Sequence, residues 1–293
     1  MGYMKFQDQL SYRYKLLNSP EKLILINVIC FVLPLFFKTI FFLFNIPFTF
    51  FSSWFNLTSD WSVFLFQPWT ILTYSFLHSG FFHLFWNMYL LFFASRIFLN
   101  LLPSKTFLST YFLGVVIGGF TFLVSYSLFP AFINSTPRMV GASAGVMAIL
   151  VFIATFTPEQ EVRLIFFNIK LQYIGLAFVL LDVIQIPYGN AGGHLAHLGG
   201  ASLGFSYAYR LKQGIDIGLP FDFLLNKISV LFNKKTPLKT VFKNQKSNSK
   251  TSEKSNDNSY QKNIDIILDK ISDSGYDSLS KEEKEFLFKA GKK

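Results

Sequence analysis

The 293-residue chain is 51% hydrophobic and 19% aromatic, and only 15% of it is charged, where soluble globular chains carry about 25%. This excludes a disordered protein and an ordinary soluble enzyme. Met1–Leu211 holds 11 Lys/Arg and 6 Asp/Glu and Lys212–Lys293 holds 16 and 11, so the net charge of +10 divides into +5 and +5, with no basic face for nucleic acid.

Residues 1–22 form a polar, mixed segment, read as a cytoplasmic N-terminal segment and as too long and too polar for a signal n-region. Six apolar runs follow, on the scale of the roughly 20 residues that cross a bilayer. They cover about Leu23–Phe44 (broken by Pro34 and ending around Lys38), Phe81–Leu101, Phe107–Phe129, Met139–Phe156, Leu171–Ile186 and Gly192–Leu211. The connection Asn45–Phe76 contains Trp54, Trp61 and Trp69, a density that suits the lipid–water interface. Cys30 is the single cysteine. It allows no intrachain disulfide and reads as a small packing residue in its apolar run.

Lys/Arg in the connections set the orientation. Lys5, Arg13, Lys15, Lys22, Arg96, Lys105, Arg163, Lys170, Arg210 and Lys212 fall on one side of the spans, and only Lys38 and Arg138 on the other. The first side is assigned to the cytoplasm, which puts both termini inside. The expected fold is an all-α polytopic membrane protein: a six-transmembrane-helix bundle over 23–211 with a small helical C-terminal cytoplasmic region. Residues 212–262 read as a juxtamembrane segment and a flexible linker, the part from Lys243 to Lys262 being rich in Lys, Ser and Asn. Residues 263–293 read as a helical hairpin. Ile264, Ile267, Leu268 and Ile271 recur at helical spacing, Gly275 marks the turn, and Ser280 with Glu283 makes a capping box. The sequence names no partner for this tail.

The four histidines, His78, His83, His194 and His197, all fall near the outer ends of the second and sixth spans. Polar groups at membrane depth are costly and mark function. His83 and Asn87, four apart, share one helix face. An imidazole and a carboxamide supply the donors that a developing oxyanion needs, and they serve equally to bind two helices together. Gly141-Ala142-Ser143-Ala144-Gly145 has the spacing of a nucleophile elbow, but no strand pattern precedes it. In a lipid-length run Gly141 and Gly145 instead let a neighbouring helix approach closely. His197 lies one turn deeper than His194, so it is the better candidate for a general base in a dry site. Gly200 and Gly204 form another close-packing face. With the N-terminus inside, spans two, four and six all descend from the outside. His83, Asn87, Ser143 and His197 then sit together about 5–10 Å below the outer surface.

These blocks, in this order and spacing, resemble the rhomboid intramembrane serine proteases over Trp69–Leu211. The resemblance rests on His78-x-x-x-x-His83-x-x-x-Asn87, on Gly141-Ala142-Ser143, and on Ala196-His197-Leu198-Gly199-Gly200 with Gly204. It implies a rhomboid-like fold and a Ser143–His197 dyad. His83 and Asn87 would stabilise the oxyanion together with the Ser143 backbone N–H. His78, Gly141, Met147 and Gly200 would support the site. Substrates would be transmembrane proteins in the lipid bilayer, cut in or next to a transmembrane helix, with no metal and no cofactor. Three positions depart from the family pattern: Ala144 stands where Gly is frequent, Met147 where Tyr or Phe is frequent, and Thr70 where a basic residue follows the tryptophan. No carboxylate is expected to orient His197. Asp182, the single acidic residue inside a span, reads as a polar cap near the outer end, a partner for another span or part of substrate gating, ahead of a direct catalytic role. The other readings are a zinc site built from the histidines, although H-E-x-x-H is absent, and a non-catalytic rhomboid-like binding or quality-control factor. The expected location is a bacterial inner membrane.

Overall fold

A computed structural model describes residues 6–48, 53–164, 167–232 and 255–291. Two compact units divide the chain, Met1–Lys234 and Lys235–Lys293.

In the first unit a short surface helix, α1 (Phe6–Leu16), precedes α2 (Ser19–Leu43). Asn18 and Glu21 close a capping box at the start of α2, with Pro20 in its first turn where no N–H is required. Contrary to the sequence reading, Pro34 does not break this helix, which runs through it to Leu43. A proline costs one backbone bond, and in lipid the helix is the least costly way to satisfy the others. A short helix, α3 (Trp61–Phe66), lies within the connection that follows. Trp61 donates to Ser127 Oγ at 2.7 Å, and Trp69 stacks on Trp54 with ring centres 5.7 Å apart.

The bundle continues with α4 (Phe81–Leu101), α5 (Ser104–Leu128), α6 (Ser143–Phe156), α7 (Leu171–Gln185) and α8 (Ala191–Lys212). By length and composition four helical segments can cross a membrane: Ser19–Leu43, Phe81–Leu101, Ser104–Leu128 and Leu171–Tyr188. The other two are central. α6 has 14 residues and is buried along nearly its whole length. α8 is rich in glycine, and its Gly200 and Gly204 lie directly against the backbone carbonyls of Ala144 and Ala148. Gly114 and Gly118 of α5 meet the Ala148 and Ala144 methyls in the same way. Helices in lipid gain little from burying apolar surface against each other, so close backbone approach carries the packing. Gly145 faces the Tyr111 ring of α5, whereas Gly141 is not helical at all. The two glycines therefore do not form the common packing face expected of them.

Two short ladders were not legible in the sequence, being too brief for an alternating pattern. β1 (Leu57–Thr58) pairs antiparallel with β2 (Arg138–Met139), and β3 (Glu161–Leu164) with β4 (Phe167–Lys170). The unit ends in α9 (Leu219–Phe232), which lies in the stretch read as a juxtamembrane segment, for which no helix was named. Its start is held to the bundle by Ser109 Oγ, which donates to Asp222 at 2.5 Å. Just before it, Tyr207 OH donates to Asp216 at 2.5 Å.

The second unit contains α10 (Ser255–Ser274) and α11 (Lys281–Ala290), joined through Gly275 at φ +79°. α10 begins within the stretch read as linker, so Ser255–Lys262 is helical. The rest of that stretch, from Lys243, lies outside the described residues. Ser280 and Glu283 form the capping box, and Lys270 reaches Glu283 at 2.9 Å.

Candidate active site

The site is built where α6 starts. The expected span from Met139 is not helical at its beginning: Met139 belongs to β2, and Gly141 has φ +129°. That backbone conformation suits glycine. A side chain there would also come within 2.8 Å of His83 Nε2. The β1–β2 ladder and the Gly141 N–H, which donates to Tyr74 O at 3.0 Å, tie this approach to the long connection. Ser143 is consequently the first residue of α6, with buried Gly141 and Ala142 before it. The free N–H groups and the positive dipole end of a helix N-terminus lie beside its hydroxyl.

A cavity of about 330 Å³ opens over this point. Ser143, His83, Asn87, His194 and His197 supply its polar wall. Trp86 and Leu90 of α4 and Phe178 and Leu181 of α7 supply apolar wall, an arrangement suited to an apolar ligand with a few convergent polar groups. Met147, 5% exposed, lines it as well.

Ser143 Oγ and His197 Nε2 are 2.6 Å apart, although 54 residues separate them. The close contact of Gly200 with the Ala144 carbonyl brings α8 near enough to α6 for this. On the opposite wall, the Ser79 N–H donates to His83 Nδ1 at 3.4 Å, and Ser79 Oγ lies 3.0 Å from the same nitrogen. A neutral ring that accepts at Nδ1 carries its proton on Nε2, the nitrogen on the Gly141 and Ser143 side. Asn87, 6% exposed, is anchored by its amide, which donates to His83 O at 2.8 Å. His78 packs edge-on against His83, with ring centres 5.1 Å apart. Burial, and then the adjacent His83, push His78 down to about 4.

One expectation is corrected. A carboxylate does reach His197: Asp182 Oδ1 lies 2.8 Å from His197 Nδ1 and 2.7 Å from His194 Nδ1. Asp182 is 6% exposed. The signal was present in the sequence as an acidic residue in an apolar run. Its partner could not be read there, because α7 and α8 face each other through packing, not through spacing. Ser79 was missed for a simpler reason, since a loop serine carries no pattern. The same three residues, Asp182, His194 and His197, place their ligand atoms within 4.8 Å of one another and are the one metal-competent group among the described residues. Each ring has the carboxylate as a hydrogen-bond partner.

Residues 65–214, about half the chain, match the model of the rhomboid domain, and residues 252–293 match a family of unknown function, DUF6576. The presenilin-associated rhomboid-like protein A, mitochondrial, of Danio rerio is 34% identical over 140 residues, which cover 45% of this chain and 35% of that protein. The presenilin-associated rhomboid-like proteins, mitochondrial, of Rattus norvegicus and Homo sapiens are each 32% identical over 145 residues, covering 48% of this chain and 37% of theirs. The match therefore spans little more than a third of these relatives. All three are named as mitochondrial, so the expectation of a bacterial inner membrane draws no support from them. With its helical membrane bundle and its matched domain, the chain belongs to the rhomboid family.

Proposed function

We propose that this protein is an intramembrane serine endopeptidase that hydrolyses peptide bonds in or next to transmembrane helices of membrane-protein substrates. The observation that carries this reading is the 2.6 Å contact between Ser143 Oγ and His197 Nε2 at the floor of a cavity with apolar walls.

The chemistry follows from the geometry. Ser143 is a weak nucleophile at its free pKa and needs a base at hydrogen-bond distance. His197 Nε2 takes the hydroxyl proton as Oγ bonds to the scissile carbonyl carbon. The carbonyl electron pair moves onto oxygen, which His83 Nε2–H, the Asn87 amide and the Ser143 N–H would stabilise. Collapse breaks the C–N bond, and the leaving amine takes the proton from His197. Water then enters the cavity and gives a proton to His197 as its oxygen bonds to the acyl carbon; the bond from that carbon to Ser143 Oγ breaks, Oγ takes the proton back from His197, and the second product leaves as a carboxylic acid. An intact substrate helix has its carbonyls engaged in its own hydrogen bonds, so it must unwind locally first. Gly, Pro or polar residues near the cut should help, and a uniform poly-Leu helix should be cut more slowly.

The test is cleavage of a Gly-containing single-span substrate by purified protein, beside Ser143→Ala and His197→Ala. Both variants should fall by at least about a thousandfold, with EDTA without effect. Equal cleavage by wild type and Ser143→Ala would overturn the reading. Silence of the wild type on a panel of such substrates, with retained binding of one of them, would favour a non-catalytic binding factor instead.

A further inference from the structure

Asp182 has a place in this site that a serine–histidine pair does not require. Among the residues of the five helices α4, α5, α6, α7 and α8 it is the only acidic side chain. It is buried, and an isolated charge at that depth is costly. Its Oδ1 faces two imidazoles, His194 and His197, which sit three apart on one face of α8. An ionised carboxylate oxygen only accepts, so both facing Nδ1 atoms carry protons. A neutral imidazole has one N–H. His197 Nε2 is then bare, and it is the atom 2.6 Å from Ser143 Oγ.

We propose that Asp182 is a positioning residue: it fixes His197 as the Nδ1–H tautomer, holds the ring on Ser143, and offsets the imidazolium that forms when the serine proton arrives. His194 occupies the remaining side of the same oxygen and keeps the carboxylate from turning away. The consequence for rate rests on the protease reading; the tautomer does not. The site thus holds two histidines in opposite states. His83 accepts at Nδ1 and presents Nε2–H, while His197 donates at Nδ1 and presents a bare Nε2. An interhelical hydrogen bond of purely structural value would hold α7 to α8 equally well through an asparagine, whose amide group can face the ring in either sense.

With only four histidines in the chain, long-range proton–nitrogen NMR of ¹⁵N-histidine-labelled full-length protein in nanodiscs can assign each ring by single His→Gln variants. The expected wild-type result is a protonated Nδ1 on His197 and a protonated Nε2 on His83. Asp182→Asn should shift His197 toward Nε2–H and lower kcat by about 10³–10⁴ with little change in KM. Asp182→Glu should restore the tautomer and part of the rate. His194→Ala, which removes one donor, should keep the tautomer and cost about tenfold or less. A wild-type His197 protonated at Nε2, or an Asp182→Asn protein with unchanged tautomer, overturns the proposal. If Asp182→Asn does not fold, the wild-type spectrum and Asp182→Glu still decide it. A wild type that shows the expected tautomers and cuts nothing would sink the protease reading and leave this one standing.

Discussion

Two polar side chains of the cavity wall, His83 and Asn87, belong to a single helix face, yet they are held in different ways. The His83 ring is oriented by Ser79 through Nδ1, and the Asn87 amide by the carbonyl one turn before it. If both stabilise charge that exists only in the transition state, loss of either should act on kcat and spare KM. His83→Ala and Asn87→Ala should each lower kcat about 10²–10³-fold, measured by steady-state cleavage of a reconstituted substrate. A rise in KM at constant kcat would instead assign them to substrate binding. Ser79→Ala should give a smaller loss in the same direction, because it leaves the Ser79 N–H as the remaining partner of His83 Nδ1. The serine and histidine blocks could be singled out from residue type and spacing. Asp182 could be noticed but not paired, because its facing partner lies on another helix.

At the scale of the element, α6 decides where the site lies. It is short, starts at Ser143, and is enclosed by α5 and α8 through small residues. Gly200 is the closest of these contacts, with no room for a side chain between its backbone and the Ala144 carbonyl. Gly200→Leu should separate α8 from α6, lower stability by about 3 kcal/mol or more, and abolish cleavage. Its reversible unfolding midpoint in mixed micelles measures the first effect. An unshifted midpoint would mean that the helices are not held by this approach. In the C-terminal hairpin a polar contact joins the two helices. The Lys270 ammonium, and then the Ser280 N–H, hold the Glu283 carboxyl below its ordinary value of 4.5. A depressed carboxyl contributes stability that is present above its unfolded pKa and is lost as pH falls through the folded one. Amide exchange in α10 and α11 of the full chain should therefore speed up as pH falls below about 4.5, after correction for intrinsic exchange. Glu283→Gln should remove that dependence.

For the whole molecule, each unit carries its own packing. The bundle buries α6 within Met1–Lys234, and the hairpin closes over Ile267 and Leu279. A chain ending at Lys234 should then keep the thermal midpoint of the membrane unit and its cleavage of a model substrate. A loss of folding would show that Lys235–Lys293 is needed for more than its own structure. The distribution of Lys/Arg also sets an orientation that can be checked. In a Cys30→Ser background, a cysteine at Lys38 should react with an impermeant thiol reagent from the outside, and one at Gln213 only after permeabilisation. The reverse pattern would invert the bundle and bring the cavity to the other face.

Composition and apolar run length by themselves determined that this is a helical membrane protein, because lipid leaves the backbone few other ways to satisfy its polar groups. Residue type and spacing marked Ser143, His83, Asn87 and His197, since polar side chains are few in such runs. The start of α6 was not legible, because it depends on the Gly141 conformation and on a two-residue ladder to Leu57. Nor was α9, which a bond from Ser109 to Asp222 across the bundle holds in place. The pairing of Asp182 with His194 and His197, and the opposite proton positions on His83 and His197, came only from the tertiary structure. Spacing along one helix fixes which residues share a face, but packing decides which faces meet, and a ring's proton goes to the nitrogen whose neighbour can accept it.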